Sequence, residues 1–274
     1  MLSATSAAMT ENSALSAAAP SPPRGVPFSL LQMNLCLSGL AGCLRYPRVV
    51  REAIDVIGER DPSAVTFNEV CSGDVARIAE RTGYHRRFST VVYGGEPLRC
   101  RSPRGRGVFG NAVLTKAPIT RTVDRRFTAQ AVDPEQRRWL CVMTARRVTV
   151  CTTHLSARGE VRAATGRQCA ELADVLAARA RRGPTIAAGD INRPRSCAPA
   201  SMWTRTDRRA AQKPGIQHAY GSARHLRAPA ARIVPATFTD HDFLLVTARM
   251  VQTGRAPAAA NAGDPPGLCS RLAP

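Results

Sequence analysis

Lysine is almost missing from this sequence. Lys116 and Lys213 are the only two, yet Lys+Arg number 39 against 20 Asp+Glu, so nearly all of the net charge of +19 is carried by arginine. Aromatic residues are scarce at 5%. No apolar run approaches the roughly 18 to 20 residues that a bilayer-spanning segment needs, which excludes a transmembrane segment. The nine cysteines include no C-x-x-C pair and no paired zinc spacing, which argues against a structural zinc site. What is present suits a folded chain. A hydrophobic share of 44% with 22% charged residues excludes wholesale disorder, and 274 residues suffice for one large domain or two small ones.

The arginine excess has two readings. It sets up a positive field that draws in polyanions, nucleic acid or anionic lipid headgroups. Equally, in a sequence also rich in Ala, Pro and Gly, it reflects biased codon usage on a solvated surface. The cysteines, spread from Cys36 to Cys269, look like disulfide partners in an oxidising compartment. Cys36 and Cys43 are spaced to close a short loop, and Cys269 is expected to be the odd thiol. Ser16–Ala19 resembles the small-residue end of a signal peptide, but no basic or apolar stretch precedes it. Residues 1–27 therefore read as a disordered tail or the remnant of a leader, 28–250 as one domain, and 251–274 as an Ala/Pro-rich tail. Secretion and a monomeric state are the expectations.

Within the domain, short β-branched runs alternate with helical patterns. Strands are predicted near 28–33, 64–67, 108–115, 118–127, 138–143, 146–153, 184–189, 216–220, 230–237 and 243–250. Helices are predicted over 49–57, over 75–79 with Gly83 as terminator, and over 159–181. An irregular connection is expected up to about 213. Strands outnumber well-separated helices, which suggests packed sheets with helices on their outer faces. Gly105-x-Gly107-x-x-Gly110 mimics a dinucleotide fingerprint but precedes a strand instead of a helix, so it reads as a flexible basic loop.

Polar residues recur where apolar runs stop: Asn34, Asn68-Glu69, His154, Asp190-x-Asn192 and Asp240-His241-Asp242. Singly, each is more often a turn or cap residue. Together, on strands that share a sheet region, they converge on one rim. Carboxylate and amide oxygens suit Mg²⁺, a carboxylate beside Asn192 suits activation of water, and imidazoles suit contact with phosphate oxygens.

The motifs Leu31-Gln32-Met33-Asn34, Phe67-Asn68-Glu69-Val70, Gly110–Thr115, Thr152-Thr153-His154-Leu155, Gly189-Asp190-Ile191-Asn192 and Thr239-Asp240-His241-Asp242 resemble, in order, those of the endonuclease/exonuclease/phosphatase superfamily. The Cys-rich pattern around Cys36 and Cys43 further resembles a secreted actinobacterial branch. The resemblance implies a DNase I-like four-layer α/β sandwich, with two central, mostly antiparallel β-sheets flanked by helices. It implies Glu69 as the main ligand of Mg²⁺ (Mn²⁺ or Ca²⁺ being alternatives), assisted by Asn34 and Asp240. Asp190 and Asn192 would handle the attacking water, His154 and His241 the scissile phosphate, and Asn111 and Gln217 the substrate. One departure is visible: the family's Asp behind the final His corresponds here to Gln217, in Gly215-Ile216-Gln217-His218, which accepts a hydrogen bond but cannot stabilise an imidazolium by charge. His218 reads as a strand residue. Three functions follow: a secreted nuclease, a sphingomyelinase-type lipid phosphodiesterase or small-molecule phosphatase, and a catalytically impaired protein that binds anionic polymers.

Overall fold

A computed structural model describes residues 25–131, 134–157 and 162–251. The expected tails and Cys269 therefore lie almost wholly outside the described residues. Val26–Asn34 forms β1, and the helix Arg48–Arg60 (α1) returns the chain so that Ala64–Cys71 (β2) pairs with β1 in parallel. Ser72–Thr82 follows as α2 and stops at Gly83, whose φ of 75° is a conformation that glycine adopts without steric cost. Then come β3 (His85–Thr90), the small ribbon of β4 (Val92–Tyr93) and β5 (Glu96–Pro97), and β6 (Phe109–Thr115). β7 (Ile119–Arg126), β8 (Arg138–Thr144) and β9 (Thr149–His154) lead into α3 (Arg162–Ala180). β10 (Thr185–Asp190), β11 (Met202–Thr206), β12 (Gln217–Ser222), β13 (Leu226–Val234) and β14 (Phe243–Met250) complete the order.

Two six-stranded sheets result, β13-β14-β1-β2-β6-β3 and β11-β12-β10-β9-β8-β7. Each contains one parallel pair, β1–β2 and β9–β10, among antiparallel neighbours. The pleat sorts the side chains. Leu30 of β1 joins Val113, Val142, Val150, Ile186 and Val246 between the sheets, while Leu31 and Met33 face outward to meet Val49, Ala53 and Ile57 of α1 and Ile78 of α2. On the far side Leu172 and Leu176 of α3 cover Cys151, Ala187 and Tyr220. The layers run helix, sheet, sheet, helix, as the resemblance implies.

Differences from the sequence reading fall at the sheet margins. β3 and β11 are edge strands inside segments read as connections. Arg86 and Arg87 of β3 face water and Arg205 of β11 is bonded to the Pro229 carbonyl, so no apolar run marks either strand. β9 begins at Thr149 instead of 146 because Ala145–Arg147 make the turn, with Arg147 at φ 58°. β13 begins at Leu226 and bulges between Arg227 and Ala230, where Pro229 can be tolerated on an edge. Four cysteine pairs stand at disulfide distance: Cys36–Cys43, Cys71–Cys100, Cys141–Cys151 and Cys169–Cys197. The glycine-rich loop expected to be loose is anchored. Buried Arg106 within it meets Asp74 at 2.8 Å and stacks over Tyr46, and Cys100 ties it to β2.

Candidate active site

β1, β2, β9 and β10 all end on the same side of the molecule, so the last residues of two parallel pairs meet. Asn34 stands opposite Asn68, and Asp190 opposite His154. Asn68 joins the two sheets. Its Oδ1 accepts from the backbone N–H of Asp190 at 2.7 Å and from Gln32 Nε2 at 2.9 Å, while its Nδ2 donates to Asn111 Oδ1 at 2.8 Å and the Thr153 carbonyl at 3.0 Å. Glu69 follows in a bulge of β2, at φ 55°, a left-handed conformation that is costly for glutamate. Strain of this kind persists where the surroundings over-determine it, and it concentrates at functional sites. Asn192 is similar, at φ 53°, with its N–H bonded to Asp190 Oδ1 and its amide to the Leu155 carbonyl. Gly189 is required by contact, since a Cβ there would lie 2.0 Å from the Thr153 carbonyl oxygen.

Asn34 Nδ2 donates to Glu69 Oε1 at 2.9 Å and to Asp190 Oδ2 at 3.1 Å. His241 Nε2 and His154 Nε2 lie 3.6 Å and 3.8 Å from that same Asp190 oxygen. Glu69, His154 and Asp190 present ligand atoms all within 4.8 Å of one another. Burial raises both carboxyl groups, and for Asp190 the Glu69 charge adds to it, taking it to about 7 against the hydrogen bonds of Asn192 and Asn34. Burial pushes His154 well below 6.5, with the positive charge of Arg137 next, and His241 down to about 4, with Lys213 next. Both imidazoles are therefore neutral at pH 7.

The remaining expected residues sit around this centre. Asp240 ion-pairs with Lys213, and its charge raises Glu69. It also approaches Cys36 and Cys43, whose sulfurs are committed to each other. Asn111 is buried and holds Asn68. Gln217 is fully buried behind the rim, donating to the Asp242 carbonyl at 2.6 Å. His218 points to the α3 side and is satisfied by the Tyr220 hydroxyl and the Gly215 carbonyl. Two groups were not picked out in the sequence. Asp207, fully buried one residue past β11, bonds the Gln217 amide at 3.3 Å and is pushed up to about 6 by burial. Arg137, 5% exposed, pairs with Glu135 and brings positive charge to Glu69, Asp190 and His154. Asp207 follows a strand end like the others, a usable signal. Nothing in the sequence separates Arg137 from its many neighbouring arginines.

A rim of buried carboxylates and neutral imidazoles on a two-sheet α/β sandwich defines the class of phosphoester hydrolases. The chain belongs to the Endonuclease/Exonuclease/phosphatase family, whose profile matches residues 40–272. No curated protein sequence matches it. It is similar in structure to an endonuclease/exonuclease/phosphatase from Beutenbergia cavernae DSM 12333, at 19% identity over 83% of this chain and 72% of that one, TM-score 0.62. The human Nocturnin catalytic domain with bound sulfate is similar at 16% identity over 82% and 94%, TM-score 0.62. D. rerio TDP2 complexed with single strand DNA product is similar at 12% identity over 82% and 99%, TM-score 0.59.

Proposed function

We propose that this chain is a secreted, divalent-metal-dependent phosphodiesterase that cleaves nucleic acid by an activated water. One observation carries the reading: half-buried Glu69 and buried Asp190, two carboxyl groups raised by withdrawal from water, with the Glu69 charge adding to Asp190, face two neutral imidazoles on one rim. Such a carboxylate pair fits Mg²⁺, a hard cation that prefers oxygen donors. Glu69 would hold it, with Asn34 and Asp240 beside it. When bound, Mg²⁺ neutralises charge on the phosphoryl oxygens and acts as a Lewis acid.

The protein's own groups supply the rest. Asp190, oriented by Asn192 and Asn34, takes the proton of a water as its oxygen attacks phosphorus. The bond to the leaving oxygen breaks, and that oxygen takes a proton from solvent water, to which Asp190 returns its own. His154 and His241 contact the non-bridging oxygens, and Arg137 and Lys213 supply positive charge. Among the described residues His241 Nδ1 and Gln217 Oε1 are both buried without a hydrogen-bond partner, and a bond between them would satisfy both. Asp207 then holds Gln217 in place.

The single strand DNA product bound by the D. rerio neighbour supports a nucleic-acid substrate, and so does the charge of +19. The four cysteine pairs support an oxidising, extracellular location. The test is nicking of supercoiled plasmid with Mg²⁺, with EDTA, and by Asp190→Ala. Cleavage confined to the wild type with Mg²⁺ supports the reading. Equal nicking by the variant, or nicking in EDTA, overturns it.

A further inference from the structure

The strands that carry the polar rim have another end, and a groove of 1850 Å³ opens there. It lies where β9, β10 and β1 begin and where β8 and β14 stop, with Thr149, Pro184, Val26, Met143 and Met250 on its walls. Three turns border it. The β8–β9 turn contributes Arg146 and Arg147, the α3–β10 turn Arg181 and Arg182, and the β12–β13 turn Arg224. Arg121 of β7 joins them from the side. All six are exposed. Among the described residues no aspartate or glutamate lines the groove, and none of these arginines forms a salt bridge.

Biased arginine usage explains many arginines. It does not explain why they gather around one concavity from which carboxylates are excluded, while Arg106, Arg137 and Arg138 elsewhere are each paired with an acid. The end of α3 accounts for Arg179, which stacks over Trp139 and favours the helix C-terminus. It does not account for the arginines of the other two turns. A second observation is independent of charge. His225 lines the groove, is 7% exposed, and its Nδ1 is buried with no partner among the described residues. An unpaired buried ring nitrogen is costly unless something bonds it.

We infer that this groove is a second anion-binding site, distinct from the polar rim, that takes the phosphodiester backbone of a nucleic acid. Guanidinium groups bond phosphate oxygens in a fork, and unpaired arginines around a concave wall suit a chain of phosphates. Among the described residues the lining holds no Phe, Tyr or Trp, and the one ring, His225, is buried, so bases have little to stack on and the site reads backbone, not sequence. A concave wall also favours a strand over a flat bilayer. Six-residue β10 and nine-residue β1 separate the two ends by about 17 to 26 Å at ~3.3 Å per residue. One long substrate can therefore reach both ends, and a very short one cannot. That link to catalysis rests on the proposed function; the binding itself does not.

The test uses the full chain carrying Asp190→Asn, so that bound DNA is not cut. Anisotropy of labelled single-stranded oligonucleotides, 10 and 40 nucleotides long, is followed across a salt series with and without the added changes R146Q, R147Q, R181Q and R182Q. The expected result is at least tenfold weaker binding of the 40-mer and a salt dependence shallower by about 3 in log–log slope, since each single-strand phosphate no longer neutralised removes ~0.7. The 10-mer should change less. Unchanged 40-mer binding overturns the site. So does loss of binding to phosphatidylserine vesicles with DNA binding retained, which would assign the groove to a membrane. On the wild-type background the four changes should leave hydrolysis of bis(p-nitrophenyl) phosphate intact, confirming the fold. If the wild type fails to hydrolyse that small diester while the oligonucleotide result holds, the proposed function fails and the groove stands.

Discussion

The two ends of the same strands could hardly differ more. At one end, Glu69, His154, Asp190 and His241 are packed together, cross-bonded and mostly withdrawn from water. At the other, six arginines stand exposed around a hollow without a counter-charge. The first arrangement holds a few groups at fixed distances at the expense of buried charge, which raises Asp190 to about 7. The second imposes no such cost, because exposed guanidinium groups remain hydrated until a polyanion displaces their water and counterions. Burial tunes reactivity, and exposure tunes attraction. A sandwich built on two parallel pairs offers one rim for each.

The largest expected effect falls on the buried end. Asp190→Ala should lower phosphodiester cleavage by roughly 10³-fold while leaving oligonucleotide binding near the wild-type value, since a positioned proton acceptor contributes about 10² to 10⁴. Steady-state rates on plasmid or a small diester, read beside anisotropy, check this. Comparable loss of binding would merge the two ends into one site.

Next comes stability. Asn68 satisfies groups on both sheets, so Asn68→Ala should cost about 2 to 4 kcal/mol by stranding the Asp190 N–H, the Thr153 carbonyl and the Gln32 and Asn111 amides. Urea unfolding measures it. Neutralising Arg146 and Arg147 should stay within about 0.5 kcal/mol, as exposed surface changes do.

A third prediction concerns pH. In cation-free protein the folded Asp190 binds its proton up to about 7, while the unfolded carboxyl releases it near 3.8. Stability from this group is therefore complete at low pH and is lost as pH rises from about 4 to 7. Asp190→Asn mimics the protonated form, so its melting temperature should gain on the wild type across that window and level off above it. Adding Mg²⁺ at pH 7 should narrow the gap by stabilising the wild type, and the uptake should release protons, detectable by calorimetry in buffers of different ionisation enthalpy. A gap that stays constant with pH contradicts the assignment of the buried charge.

The smallest effect is expected behind the rim. Exchanging the two groups, Asp207→Asn with Gln217→Asp, moves the carboxylate to position 217, the proposed partner of His241 Nδ1, without setting two carboxylates together. His241 should titrate above its present value of about 4, visible by NMR, with cleavage changing several-fold. An unmoved His241 would place Gln217 outside the support of that ring.

How much of this was legible in the sequence follows from how local each signal is. An apolar run that stops at Asn34, Glu69, His154 or Asp190 is written in consecutive residues, and all of these reached one rim. The helices over 48–60 and 72–82 were legible from the spacing of their buried faces and from Gly83. Edge strands β3 and β11 were not, since only Ser89 of the one and Met202 of the other are buried, too few to write an apolar run. Asn68 was legible as a polar strand end but not as the tie between the sheets, because the partners that make it one lie 36 to 122 positions away. The groove could not be read at all. Its arginines are drawn from β7 and three turns between 121 and 224, and only the sheet brings them together. The sequence's even choice between a polyanion field and biased codons was a question about spatial grouping that composition cannot express.

The most direct test crosses the two ends in one experiment. A labelled 40-mer is assayed for binding and for cleavage with Mg²⁺, using wild type, Asp190→Asn and the four-arginine variant. The account predicts that Asp190→Asn abolishes cleavage and keeps affinity, and that the arginine variant binds at least tenfold more weakly yet still cleaves at saturating DNA. If either variant loses both properties together, the division of labour between the two ends is contradicted.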